Sequence, residues 1–123
     1  MDKNKVVEIT RSVADKIIQD NGKTNLFMLI PDIDSDTFTL FVSAKWLDNQ
    51  NVYDGTKKIV TYLFKYDDKE YIKKISRVSI AKTIDPGVTA INTMRISGGI
   101  AHIKNCQFNN VILDDAIIFE SNR

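Results

Sequence analysis

Apolar and polar positions alternate along this chain with two different periods. Residues 4–20 repeat at helical spacing. On a helical wheel Val6, Val7, Ile9, Val13, Ala14, Ile17 and Ile18 fill one half, and Glu8, Arg11, Ser12, Asp15, Lys16, Gln19 and Asp20 fill the other. The pattern predicts an amphipathic helix, stopped by Asn21-Gly22. Thr24 to Ile30 is a short apolar run and reads as a buried strand. Pro31 to Asp36 reads as a turn. From Thr37 to Trp46 the period becomes two, with Phe38, Leu40, Val42 and Ala44 opposite Thr39, Phe41, Ser43 and Lys45. These segments predict a β-hairpin. Asp48 to Gly55 is polar and reads as a loop.

Thr56 to Tyr66 fits both periods. As a helix it gathers Ile59, Val60, Tyr62, Leu63, Phe64 and Tyr66, with Lys57, Lys58, Thr61 and Lys65 opposite. As a strand it offers one apolar face of Val60, Tyr62, Phe64 and Tyr66. Clustering of all four polar residues favours the helix. Asp67 with Glu70 three residues on resembles a capping box opening a short helix to Ile75. Arg77 to Lys82 reads as a strand. Asp85-Pro86 supplies an N-cap and a first-turn proline for a helix to about Met94. Ser97-Gly98-Gly99 turns the chain into a β-rich C-terminus.

In that C-terminus the apolar pairs Ala101/Ile103, Cys106/Phe108, Val111/Leu113 and Ala116/Ile118 recur every five residues. Five is odd, so the inward-facing parity flips from pair to pair, which one straight strand cannot do. One solution is a hairpin turning at Asn109-Asn110 with a bulge. The other is a chain that bends every five residues. This spacing resembles the pentapeptide-repeat family over residues 101–120, and the resemblance implies one coil of a four-sided right-handed β-helix. Nothing upstream repeats the pattern.

The expected fold is α+β: an N-terminal helix, a β-hairpin, central helices and a β-rich C-terminus, with one mostly antiparallel sheet packed by helices. No Pro/Gly/Ser-rich linker interrupts the 123 residues, which predicts one domain over 1–123. The composition, 43% hydrophobic and 27% charged, is that of a globular chain rather than a disordered one. The single cysteine, Cys106, excludes an internal disulfide and points to a reducing compartment. No signal peptide or membrane-length apolar run is legible, so the expected location is the cytoplasm, without a membrane partner.

Charge is segregated. The net +1 conceals six Lys/Arg against nine Asp/Glu in residues 1–56, eight against three in 57–82, and three against four in 83–123. Lys57, Lys58, Lys65, Lys69, Lys73, Lys74 and Arg77 form the basic segment, a candidate surface for nucleic acid or an acidic partner. Mutual cancellation with the acidic first half is the plainer account of it. Trp46, at the end of the second predicted strand, and Tyr53, in the following loop, are candidate protein-interaction residues; closing the core edge is the plainer role for Trp46.

Candidate chemistry is thin. Asp32, Asp34 and Asp36 have calcium-loop spacing, but the sixth position is Thr37 and the twelfth is Ser43, which fits an acidic turn better. His102 and Cys106 fit a nucleophile–base pair only if they share a face. Asp114 and Asp115 are adjacent and so face opposite ways on a strand. Asp85 reads as a cap. No catalytic set, metal site or cofactor is predicted. The leading expectation is a small non-catalytic protein-interaction domain, an inhibitor, immunity or accessory protein for a larger partner. A nucleic-acid-binding accessory protein using residues 57–77 comes second, and a small enzyme built on Asp85, His102, Asp114 or Asp115 comes third. Oligomeric state is not legible.

Overall fold

The computed structural model describes residues 1–108 and 111–123, the side chain of Val111 excepted. The strands are β1 (Leu26–Pro31), β2 (Phe38–Ser43), β3 (Ile75–Ile80), β4 (Ala101–Phe108) and β5 (Val111–Ser121). They form one sheet in the order β3-β2-β1-β5-β4. β1 pairs antiparallel with β2 and β5, and β5 antiparallel with β4. β3 runs parallel to β2. The helices are α1 (Lys3–Asn21), α2 (Lys45–Asp48), α3 (Val52–Lys65), α4 (Lys69–Lys74) and α5 (Pro86–Ile91). A parallel strand pair needs a crossover connection, and α2, α3 and α4 supply it. The architecture is the expected α+β fold, with a mostly antiparallel sheet and helices packed on it.

β1 sits in the middle, buried on both faces, which explains its unbroken apolar run. Phe27 and Leu29 join Leu40, Val42, Ile117 and Phe119 on one face. There they meet Val6, Ile9, Val13 and Ile17 of α1, Ile59 and Leu63 of α3, and Tyr71 of α4. Leu26 and Met28 point the other way, onto Ala116, Ile118 and the α5 residues Val88 and Ile91. Helices α1, α2, α3 and α4 therefore cover one face, and a single six-residue helix covers part of the other.

Several boundaries differ from expectation for local reasons. The loop predicted over 48–55 overlaps the last residue of α2 and the first four residues of α3. Trp46 lies on α2 rather than at a strand end, and Tyr53 lies in the first turn of α3 rather than in a loop. Asn51 starts α3 early, because its side chain accepts from Asp54 N at 2.8 Å and satisfies a free helix-end amide. The cap of α4 is Asp68, which accepts from Tyr71 N at 3.1 Å. Asp67 instead makes the turn between helices, at φ 58°. β3 begins two residues earlier than predicted, and α5 stops at Ile91 rather than near Met94.

The C-terminal parity flip has a structural answer. β4 and β5 pair antiparallel, so residues 101–120 are not a β-helical coil. Asn105 adopts φ 50° between Ile103 and Cys106. Lys104 pairs with Asp115 and Cys106 with Leu113, which leaves Asn105 and Asp114 opposite each other between paired positions. The kink returns Ile103, Phe108, Leu113 and Ala116 to one face despite their mixed parity. Asparagine is among the few residues that visit the left-handed region readily. The predicted turn at Asn109-Asn110 lies outside the described residues.

Candidate interaction surface

The second face of the sheet is only partly covered. Beyond α5, toward the β1–β2 turn, it presents half-buried Ile30, Phe41, Ile103, Phe108 and Leu113. A groove of about 630 Å³ runs there, lined by Ile30 to Ser35, Thr39 and Phe41, and by Arg77 and Ser79 of β3. The register explains the grouping: Thr39 is opposite Arg77 and Phe41 opposite Ser79, so alternate residues of two strands reach this face. A second hollow of about 370 Å³ flanks the same turn and is lined by Ile30 to Ile33 and Ile112 to Asp115. Ile33, 97% exposed, and Ile112, 63% exposed, stand at its rim.

The turn between the hollows is held by hydrogen bonds around Asp32. Its carboxylate accepts from the Thr37 hydroxyl at 2.5 Å and the Thr39 hydroxyl at 2.9 Å, and its amide donates to Thr37 O at 2.9 Å. Asp32 is held below the ordinary carboxylate range first by the Ser76 hydroxyl, then by Thr37 and Thr39, with a smaller contribution from the Arg77 charge; burial opposes them. The Ser76 hydroxyl also reaches Phe38 O at 3.1 Å. Asp32 is thus an anion beside the Arg77 cation, on a fixed turn. Asp36 turns elsewhere and pairs with Lys74 at 2.6 Å, and that ammonium lowers its acidity range too. Among the described residues no group of three or more His, Cys, Asp or Glu side chains is placed to hold a metal ion.

The seven basic residues are divided between two sides of the molecule. Lys57, Lys65, Lys69 and Lys73 are exposed on α3 and α4, in the helical layer. Lys58 lies over the Trp46 ring at 5.3 Å, and Lys65 over the Tyr62 ring at 5.3 Å. Lys74 is engaged by Asp36. Arg77 lies across the sheet in the groove. Trp46 is half-buried, packs against the helical-side core, and donates its indole N–H to Lys23 O at 3.1 Å. Tyr53 is 75% exposed on α3.

The residues considered for catalysis are also apart. His102 pairs with Ile117 and Cys106 with Leu113, positions that belong to opposite faces. Asp85 caps α5, accepting from Gly87 N at 2.8 Å and Val88 N at 3.4 Å. Asp114 is exposed and Asp115 half-buried.

Sequence reasoning missed Arg11, which it placed among solvent-facing residues. Arg11 is largely buried and bonds Glu120 at 2.9 Å. The available signal was its place beside the apolar stripe, between Thr10 and Val13. The groove itself was also missed, since Ile30, Phe41 and Arg77 come from three strands. No family model, curated protein or solved structure matches this chain. Among the described residues no helix is long and apolar enough to cross a membrane.

Proposed function

We propose that this protein is a small non-catalytic interaction domain, an inhibitor, immunity or accessory protein that engages a larger protein partner. The observation that carries this reading is the half-covered sheet face. It combines apolar side chains from several strands with a fixed Asp32 carboxylate, the Arg77 cation and the exposed Ile33 of the adjoining turn. Apolar centres with a few placed charges are the usual make-up of a specific protein contact. Nearly complete exposure of Ile33 on an ordered turn suits an anchor that enters a partner's pocket. The nucleic-acid alternative has less support, because Arg77 faces away from the α3 and α4 lysines and Lys74 is neutralised by Asp36.

The test is affinity capture from the native host with three baits: the wild-type protein, Ile33→Asp with Arg77→Glu, and Lys57→Glu with Lys73→Glu. Wild type and the lysine variant should retain one stoichiometric protein, and the Ile33/Arg77 variant should lose it. Capture unaffected by the groove substitutions, or nuclease-sensitive capture lost only with the lysines, would overturn the proposal.

A further inference from the structure

The hollow between Ile30–Ile33 and Ile112–Asp115 lies in a split of the sheet. β1 follows β2 as far as Pro31, opposite Phe38, but follows β5 only over Leu26–Leu29, against Ile117–Ser121. β5 continues beyond that point with β4 on its other side. The cause is local. Asp32 directs its amide to Thr37 O, across to β2, so Pro31 takes the position that faces β5. Two residues beyond the Leu29–Ile117 pair, Pro31 would oppose Asp115, and proline has no N–H for that rung. The ladder stops there. Residues 112–115 are left with a strand on one side and the hollow on the other. Alternate residues of an antiparallel strand turn N–H and C=O to opposite sides, so this stretch presents main-chain groups to the hollow with no strand to receive them.

The walls decide what an added strand would carry. Ile30, Ile33, Ile112 and Leu113 make them apolar. Asp32, Asp114 and Asp115 add three carboxylates, and no cation lines the hollow. Asp32 is occupied by the Thr37 and Thr39 hydroxyls. The Asp114 and Asp115 side chains make no hydrogen bond or ion pair among the described residues, although Lys104 stands opposite Asp115 in the β4–β5 ladder. An open strand edge, apolar walls and two uncompensated negative charges complement an extended chain that carries cations.

We propose that this split receives an extended segment of the protein partner, which adds to β5 along residues 112–115 and sets a lysine or arginine against Asp114 and Asp115. The inference rests on the reading of the protein as an interaction domain and names the partner's chemistry: a strand-forming basic segment with apolar residues at alternate positions.

The test is a titration of the 15N-labelled protein with the end-blocked peptide Val-Arg-Val-Lys-Val. Its controls are the same peptide with Glu in place of Arg and Lys, a fully N-methylated version, and arginine amide alone. The basic peptide should give saturable shifts at the amides of residues 112–115 and of Asp32 and Ile33, and the acidic peptide none. N-methylation, which removes the main-chain donors, should weaken binding about tenfold. Asp114→Asn with Asp115→Asn should weaken it about tenfold as well, while thermal unfolding shows the fold intact. The proposal is overturned if arginine amide or the N-methylated peptide binds as well as the basic peptide, if the shifts centre on residues 75–80 or 101–105, or if no peptide gives saturable shifts. Self-association of the free protein through residues 112–115 would also overturn it, since the occupant would then be a second copy. In affinity capture, an Asp114→Lys, Asp115→Lys bait that keeps a partner lost by the Ile33/Arg77 bait removes this proposal and leaves the interaction reading standing. Peptide binding at the split with no captured partner does the reverse.

Discussion

Arg11 of α1 and Glu120 of β5 form an ion pair of 2.9 Å between side chains that are 13% and 5% exposed. The same guanidinium donates to Gly99 O at 2.8 Å and Phe119 O at 2.9 Å, and Glu120 accepts from Gly98 N at 2.6 Å. One arginine therefore ties the first helix to the last strand and to the turn that precedes β4. Breaking a buried pair from one side strands the other charge. Arg11→Met should destabilise the protein by about 3–5 kcal/mol. Adding Glu120→Gln should recover part of that loss, because the stranded carboxylate disappears. Urea unfolding of the single and double variants measures both.

Tyr71 reports on the helical-side core through alkaline pH. Its hydroxyl lies 2.9 Å from Thr10 Oγ1, and burial pushes it up from the ordinary value of 10.0 to about 12. The unfolded chain releases this proton near the ordinary value, while the folded chain keeps it. The associated stability is full below that value and is lost as pH rises through the folded one. About 2–3 kcal/mol should vanish across this window. Tyr71→Phe should flatten the decline, leaving the part due to Tyr62, which burial also raises. Denaturant unfolding at stepped alkaline pH checks this.

The two aspartates before α4 should behave oppositely. Asp68 caps the helix, so Asp68→Ala should cost about 1 kcal/mol. Asp67 holds φ 58°, which glycine adopts without strain, so Asp67→Gly should leave stability unchanged or slightly raised. Thermal unfolding of the two single variants separates the roles.

Gly22 ends α1 at φ 101° and donates its amide to Ile18 O at 2.8 Å. A side chain there has room but the wrong backbone. Gly22→Ala should therefore destabilise by about 1–3 kcal/mol without disturbing the core. Calorimetry gives the loss, and unchanged near-ultraviolet dichroism confirms intact packing.

What the sequence displayed well was local. Seven apolar residues at helical spacing made α1 legible, and alternation made β2 legible. The flip in parity after Ile103 announced a bend, which Asn105 supplies in β4. What it hid was relational. The pattern of β3 is the same whether the strand pairs parallel or antiparallel, so its direction was not legible. Asn51 and Asp54 form the cap of α3, but in a polar run they resemble loop residues. Arg11 looked solvent-facing because its partner lies 109 positions away. The basic segment is contiguous in sequence yet divided by the sheet, because Arg77 sits on a strand whose alternate residues face away from α3 and α4. The groove was invisible for the same reason: each contributing strand is ordinary alone.

The most direct measurement is amide hydrogen exchange of the protein alone and saturated with its captured partner. Protection gained at residues 30–41, 77–79 and 112–113 is the predicted result, with α3 and α4 unchanged. Protection gained across α3 and α4 with no change along the β1–β2 turn would contradict the assignment of the open sheet face as the interaction surface.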